Sequence, residues 1–137
     1  MLYRVYDREK KNWIKNNVYM TPDGELYKIK SSLFGWSKVP LTLDGDRYVC
    51  HRAIDLYDKN QELVYEDDYI KAQVDKDKSV IGIVSYAPEL SSYVILCIDV
   101  DKYYTLGSEV CEFIEIIGNV FDGFKEVIQD GQQSLQE

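Results

Sequence analysis

At 137 residues, with 45% apolar and 13% aromatic residues, the chain is long enough to bury roughly two-thirds of its unfolded surface, which argues against global disorder. Its net charge of −8 argues against an affinity built on phosphate neutralisation by a wholly basic face. The charge is uneven: residues 1–43 carry eight Lys and Arg against four Asp and Glu, and residues 44–137 carry eight against twenty, so +4 precedes −12.

In chain order, Leu2, Arg4 and Tyr6 alternate with Tyr3, Val5 and Asp7 as in a short strand. The polar stretch 7–12 then turns, and Trp13-Ile14 opens the return strand of a hairpin. Val18-Tyr19-Met20 leads into Thr21-Pro22-Asp23-Gly24, a strong turn signal, and Leu26–Ile29 resumes an extended segment. Residues 31–45 read as a loop-rich insert anchored to the core by Phe34 and Trp36, with Pro40 excluding it from a central strand. After a turn at Asp44-Gly45-Asp46, residues Arg47–Arg52 read as a strand.

The stretch from Asp55 to Ala72 organises the middle of the chain. Asp58-Lys59-Asn60-Gln61 has the side chains of a tight turn, because Asp and Asn bond their own backbone. Glu62–Tyr65 is a strand, Glu66-Asp67-Asp68 breaks it, and Tyr69–Val74 is the next. A solvated turn at 75–78 precedes the most apolar pair, Ser79–Tyr86 and Tyr93–Val100, the best candidates for central strands. Leu106–Phe113 suggests a single helical turn around Ser108 and Glu109. Glu115–Phe121 is a last strand, with a bulge or close backbone approach expected at Gly118. The tail frays. Many short strands, regular turns and no helical stripe predict an all-β, mainly antiparallel small barrel or sandwich: one domain over residues 1–123 and a tail over 124–137.

Cys50, Cys97 and Cys111 are odd in number, lack CxxC spacing and sit in apolar runs, as reduced cytoplasmic thiols do. Met1–Lys15 has no hydrophobic stretch, so no signal peptide is expected, and the apolar run Tyr93–Ile98 is too short to span a bilayer.

Few residues invite chemistry. Cys50 and His51 would suggest a thiolate–imidazole or metal pair, but neighbours in a strand point to opposite faces, and two ligands fall short of a zinc site. Glu66-Asp67-Asp68 has the carboxylates a hard cation prefers without a calcium-loop pattern, and is expected to be a turn. Asp99 and Asp101 share one strand face and are expected to be solvated rather than an acid–base pair. No nucleophile elbow or phosphate-cradling glycine loop is present. Tyr3, Tyr6, Trp13 and Tyr69 are expected as core and rim aromatics rather than base-stacking platforms.

Three segments carry a family likeness. YRVYDREKKNWI (3–14), LYDKNQELVYEDDYIKA (56–72) and IEIIGNVFD (114–122) together resemble, in order, the YopX family of small phage and prophage proteins. The resemblance implies an all-β fold with an SH3-like barrel portion and an origin in a mobile genetic element. It implies no catalytic residues. Gln61 and Asp67 stand where the family usually has Gly, and Asp55 replaces another, so a slightly altered turn geometry is expected at Gln61 and Asp67.

The expected function is therefore non-enzymatic: a cytoplasmic protein–protein interaction module for a host or phage protein, with self-association as a variant. No catalytic, cofactor or metal site is assigned, and no membrane contact is expected. The alternative is nucleic-acid binding through Arg4, Arg8, Lys10, Lys11 and Lys15.

Overall fold

Alternation of inward and outward side chains explains most of the architecture. The structure, a computed structural model, describes residues 2–107 and 113–125, apart from the side chains of residues 42–44. The described residues form antiparallel strands joined by turns and two short 3-10 segments, Thr42–Arg47 and Pro88–Leu90. The expected all-β antiparallel class is what the chain adopts, with no helix of seven or more residues among the described residues. No helix among the described residues is long and apolar enough to cross a membrane. The chain divides into two compact units, Met1–Ala53 and Ile54–Glu137.

In the first unit, β1 (Tyr3–Asp7) pairs with β2 (Asn12–Ile14) and with β6 (Tyr48–Tyr57), which continues past Ala53 into the second unit. A separate three-stranded sheet is ordered β3 (Val18–Met20), β4 (Leu26–Ser32), β5 (Gly35–Pro40). The Thr21–Gly24 turn is closed by Gly24 N–H donating to the Thr21 carbonyl at 2.9 Å. Val5, Leu26 and Leu41 form a small buried cluster, with Ile14, Val18, Tyr48 and Cys50 packed on it.

In the second unit, a six-stranded sheet is ordered β11 (Tyr103–Thr105), β10 (Ser92–Cys97), β9 (Lys78–Ala87), β8 (Asp68–Asp75), β12 (Phe113–Asn119), β13 (Gly123–Phe124). It curls into a half-barrel. Along β8, Asp68, Ile70, Ala72 and Val74 point inward while Tyr69, Lys71, Gln73 and Asp75 point out. Ile70, Val84 and Ile95, with Val64 of β7 (Leu63–Tyr65), are fully buried at the centre, each contributing about 1.5–3 kcal/mol by burial. Both strands expected to be central, β9 and β10, have neighbours on each side.

β10 stops at Cys97 rather than Val100, and residues 98–101 bend in solvent, because Asp99 and Asp101 find nothing to bury against. Residues 31–40 are not an insert but the turn and return strand of a hairpin. The register shift between Ile116 and Gly118 is the predicted bulge; a Cβ on Gly118 would collide with the Gly123 carbonyl oxygen. Gln61 (φ 63°), Asp67 (φ 66°) and Asp55 (φ 58°) all keep left-handed backbone, so the turns hold the conformation glycine favours and the substituted residues carry the strain. The helical turn expected near Ser108 and Glu109, the Cys111 thiol and the tail beyond Lys125 lie outside the described residues.

Candidate interaction surface

The β4–β5 hairpin is the feature of the described chain least explained by its own fold. Its register runs from Tyr27 opposite Pro40 to Ser32 opposite Gly35, leaving Leu33 and Phe34 as a two-residue tip. Tips of this length favour Asn-Gly or Gly-containing pairs, whose backbone matches the strand twist. Here the tip is two large apolar residues, exposed by 99% and 98%, with Trp36 beside them 71% exposed. Phe34 N–H donates to Ser32 Oγ at 3.3 Å, and Ser32 Oγ–H donates to the Gly35 carbonyl at 3.2 Å, tying the turn without burying its side chains.

Opposed residues share a face. One face of this sheet holds Tyr19, Tyr27, Ile29, Trp36 and Lys38. The Lys38 ammonium lies 4.7 Å from the Tyr27 ring centroid. The Tyr27 hydroxyl donates to Glu25 at 2.7 Å, which raises its pKa. The other face holds Lys28, Lys30 and Val39. Residues 26–40 contain three lysines and no carboxylate, so the hairpin is positive as well as apolar. Phe34 and Trp36 therefore project from the segment rather than anchoring it to the core, contrary to the expectation from their hydrophobicity. Pro40 lies on edge strand β5, where a missing N–H costs no ladder bond.

The residues singled out in the sequence are distributed elsewhere. Cys50 packs on the Val5 cluster, and the buried His51 points to the opposite face. Arg4 Nε and Nη2 lie 3.4 and 3.3 Å from His51 Nδ1. Arginine only donates, so Nδ1 accepts and His51 is the neutral Nε2–H tautomer. The Trp13 ring covers the Arg4 guanidinium at 4.3 Å and meets Tyr6 edge-on at 5.0 Å. Arg4 is thus withdrawn from the basic N-terminal set, while Arg8, Lys10, Lys11 and Lys15 remain exposed. Tyr69 stacks on Phe124 at 5.0 Å, and Tyr3 is half-buried in β1.

The three acidic residues at 66–68 diverge: Asp68 accepts from the Tyr65 N–H at 2.9 Å, Glu66 accepts from the Tyr93 hydroxyl at 3.4 Å, and Asp67 sits at the left-handed turn position. Asp99 and Asp101 occupy the bend after β10, not one strand face. No group of three or more His, Cys, Asp or Glu side chains among the described residues is arranged to hold a metal ion. The Cys97 thiol is pushed up in pKa by burial and by the nearby Asp99 charge, which disfavours the reactive thiolate.

Asp7 is a multiply bonded carboxylate among the described residues. Arg47 Nε donates to Oδ1 and Nη2 to Oδ2, both at 3.0 Å, while the N–H groups of Glu9 and Lys10 donate to Oδ1. The Arg47 guanidinium holds the Asp7 carboxyl down at about 2, against the smaller opposing effect of burial.

A family model described as YopX protein matches residues 2–123. Among solved structures, the chain is similar to protein yopX from Bacillus subtilis, with a TM-score of 0.61 and 16% identity over 88% of this chain and 93% of that one. It is also similar to protein EF1440 from Enterococcus faecalis, with a TM-score of 0.48 and 16% identity over 88% of this chain and 92% of that one. No curated protein matches it.

Proposed function

The chain belongs to the YopX family, and we propose that it is a non-enzymatic protein–protein interaction module whose contact element is the β4–β5 hairpin. The observation that carries this reading is the nearly complete exposure of Leu33 and Phe34, with Trp36 beside them. An exposed apolar group on a soluble surface is unremarkable when single, but a contiguous cluster at the end of a hairpin is what a partner's pocket covers. Aromatic anchors surrounded by polar residues are the usual centres of binding energy. The partner is a protein with an apolar pocket rimmed by carboxylates, since Lys28, Lys30 and Lys38 come with no acidic neighbour in residues 26–40. The reduced-thiol pattern and the family resemblance support a cytoplasmic setting in a mobile element.

The test is capture from the native host with the wild-type chain and with Leu33→Ser/Phe34→Ser, followed by zero-length carbodiimide crosslinking. A stoichiometric protein that crosslinks its Asp or Glu side chains to Lys30 or Lys38, and is lost from the variant, is the expected result. Identical captured sets would reject the hairpin. Salt-sensitive nucleic acid captured in place of a protein would overturn the reading in favour of the basic N-terminal alternative.

A further inference from the structure

On the face of β4 opposite Trp36 and Lys38, Lys28 and Lys30 line a cavity of about 230 Å³ within the first unit, together with Lys10, Arg47 and Asp7. Four cations and one carboxylate thus line it, and Glu9, outside the lining, pairs with Arg47 at 3.5 Å. The lining carboxylate is already engaged, because both Asp7 oxygens accept from Arg47. Among the described residues, no ion pair involves the ammonium groups of Lys10, Lys28 or Lys30.

This is unexpected in a chain with 24 acidic and 16 basic residues, where carboxylates are in surplus. Like charges around a shared concavity repel, and low-dielectric walls strengthen that repulsion. A multiply charged anion seated between them converts it into attraction. The Asn12 carboxamide adds a neutral donor, while Ile14, Val39 and Leu41 supply apolar lining. Three mobile ammonium donors suit a tetrahedral, multiply charged oxyanion better than a planar carboxylate, for which a guanidinium fork is the better match. Arg47, the one fork present, is spent on Asp7.

We propose that this cavity binds a phosphate group, presented either as a free phosphomonoester with a small apolar body or by a nucleic-acid backbone. The cavity shares Lys28 and Lys30 with the basic hairpin but not the apolar tip, since both lysines lie on the opposite face of β4 from Trp36.

The experiment is a titration of the ¹⁵N-labelled full chain, followed by amide chemical shifts at constant ionic strength. Inorganic phosphate, a phenyl phosphate ester and a single-stranded oligonucleotide lacking a terminal phosphate serve as separate probes, with chloride as the reference. Saturable shifts at Lys10, Lys28 and Lys30 are expected. Lys28→Gln/Lys30→Gln should weaken the affinity by about tenfold or more, and Lys11→Gln/Lys15→Gln, outside the cavity, should leave it unchanged. These lysines are half-buried or exposed, so an unchanged melting temperature in phosphate-free buffer establishes that the variant is folded.

Saturation by phosphate and ester alone identifies a small ligand. Tighter, steeply salt-dependent saturation by the oligonucleotide through the same amides identifies a backbone phosphate. Absence of saturable shifts with every probe, or equal weakening by both double variants, overturns the proposal.

Discussion

At Asp7 one side chain gathers two N–H groups of its own turn and two guanidinium donors from a residue forty positions away. Its folded pKa of about 2 lies below the ordinary 3.8, so the stabilisation is complete above about pH 4 and is lost as pH falls toward 2. With Arg47 partly in solvent, the amount is of order 1–2 kcal/mol. Urea unfolding across pH 2–7 should show Asp7→Asn destabilised by that amount near neutrality and converging with wild type in acid; parallel curves would contradict it. The turn was legible in the sequence, since Asp opening a charged stretch is a common turn device, but the Arg47 partner was not, because nothing local specifies a contact made through register. Gln61 makes the complementary case. Its place in the turn was legible, the comparison with glycine pointed to strain, and the backbone there is left-handed. Gln61→Gly should raise stability by about 1 kcal/mol, read as a shift in the urea midpoint at unchanged slope. A loss would mean that the Gln side chain contributes more than its backbone strain costs.

At the scale of elements, Asp58 and Gly118 secure neighbouring pieces of the second unit. Asp58 Oδ1 accepts from the N–H groups of Asn60 and Glu62, and Oδ2 accepts from the N–H of Ile116 at 3.0 Å, so the buried carboxylate joins the turn after β6 to β12. Asp58→Ala orphans three N–H groups and should cost about 2–4 kcal/mol, whereas Asp58→Asn, which keeps one acceptor oxygen, should cost less. Denaturant unfolding of the pair checks this; equal losses would show that any truncation of the charge is decisive. Gly118→Ala should be more damaging than its size suggests, by about 3 kcal/mol or more, because its Cβ would strike the Gly123 carbonyl and φ is 152°. The Asp58 turn and the Gly118 bulge were readable because turn and bulge chemistry is local, whereas the Asp58 bond to Ile116 was not. The hairpin tip was not. Hydrophobicity says that Phe34 and Trp36 will be covered, but not by which molecule: the chain's own core or a partner. The signal that was present was the Leu-Phe pair at a two-residue turn, where local preference calls for glycine or asparagine.

For the whole molecule, the uneven charge coincides with the structural division: residues 1–53 carry ten basic against six acidic side chains, and residues 54–137 six against eighteen. A net of −12 within the second unit repels itself roughly as the square of that charge, an effect that the ion pairs Lys59–Glu115 and Lys125–Glu62 relieve only locally. Both pairs are largely solvated and worth little each. Added salt screens the repulsion, because the Debye length falls from about 10 Å at 0.1 M to about 3 Å at 1 M. The melting temperature should therefore rise by about 2–5 °C between 20 mM and 0.5 M sodium chloride at neutral pH. A fall over that range would mean that specific pairs, with Asp7–Arg47 the first candidate, outweigh the general field. Chloride also sets the baseline for the phosphate cavity. Any stabilisation by phosphate beyond that of chloride at equal ionic strength must come from binding to the folded chain, and Lys28→Gln/Lys30→Gln should abolish that excess while leaving the chloride response in place.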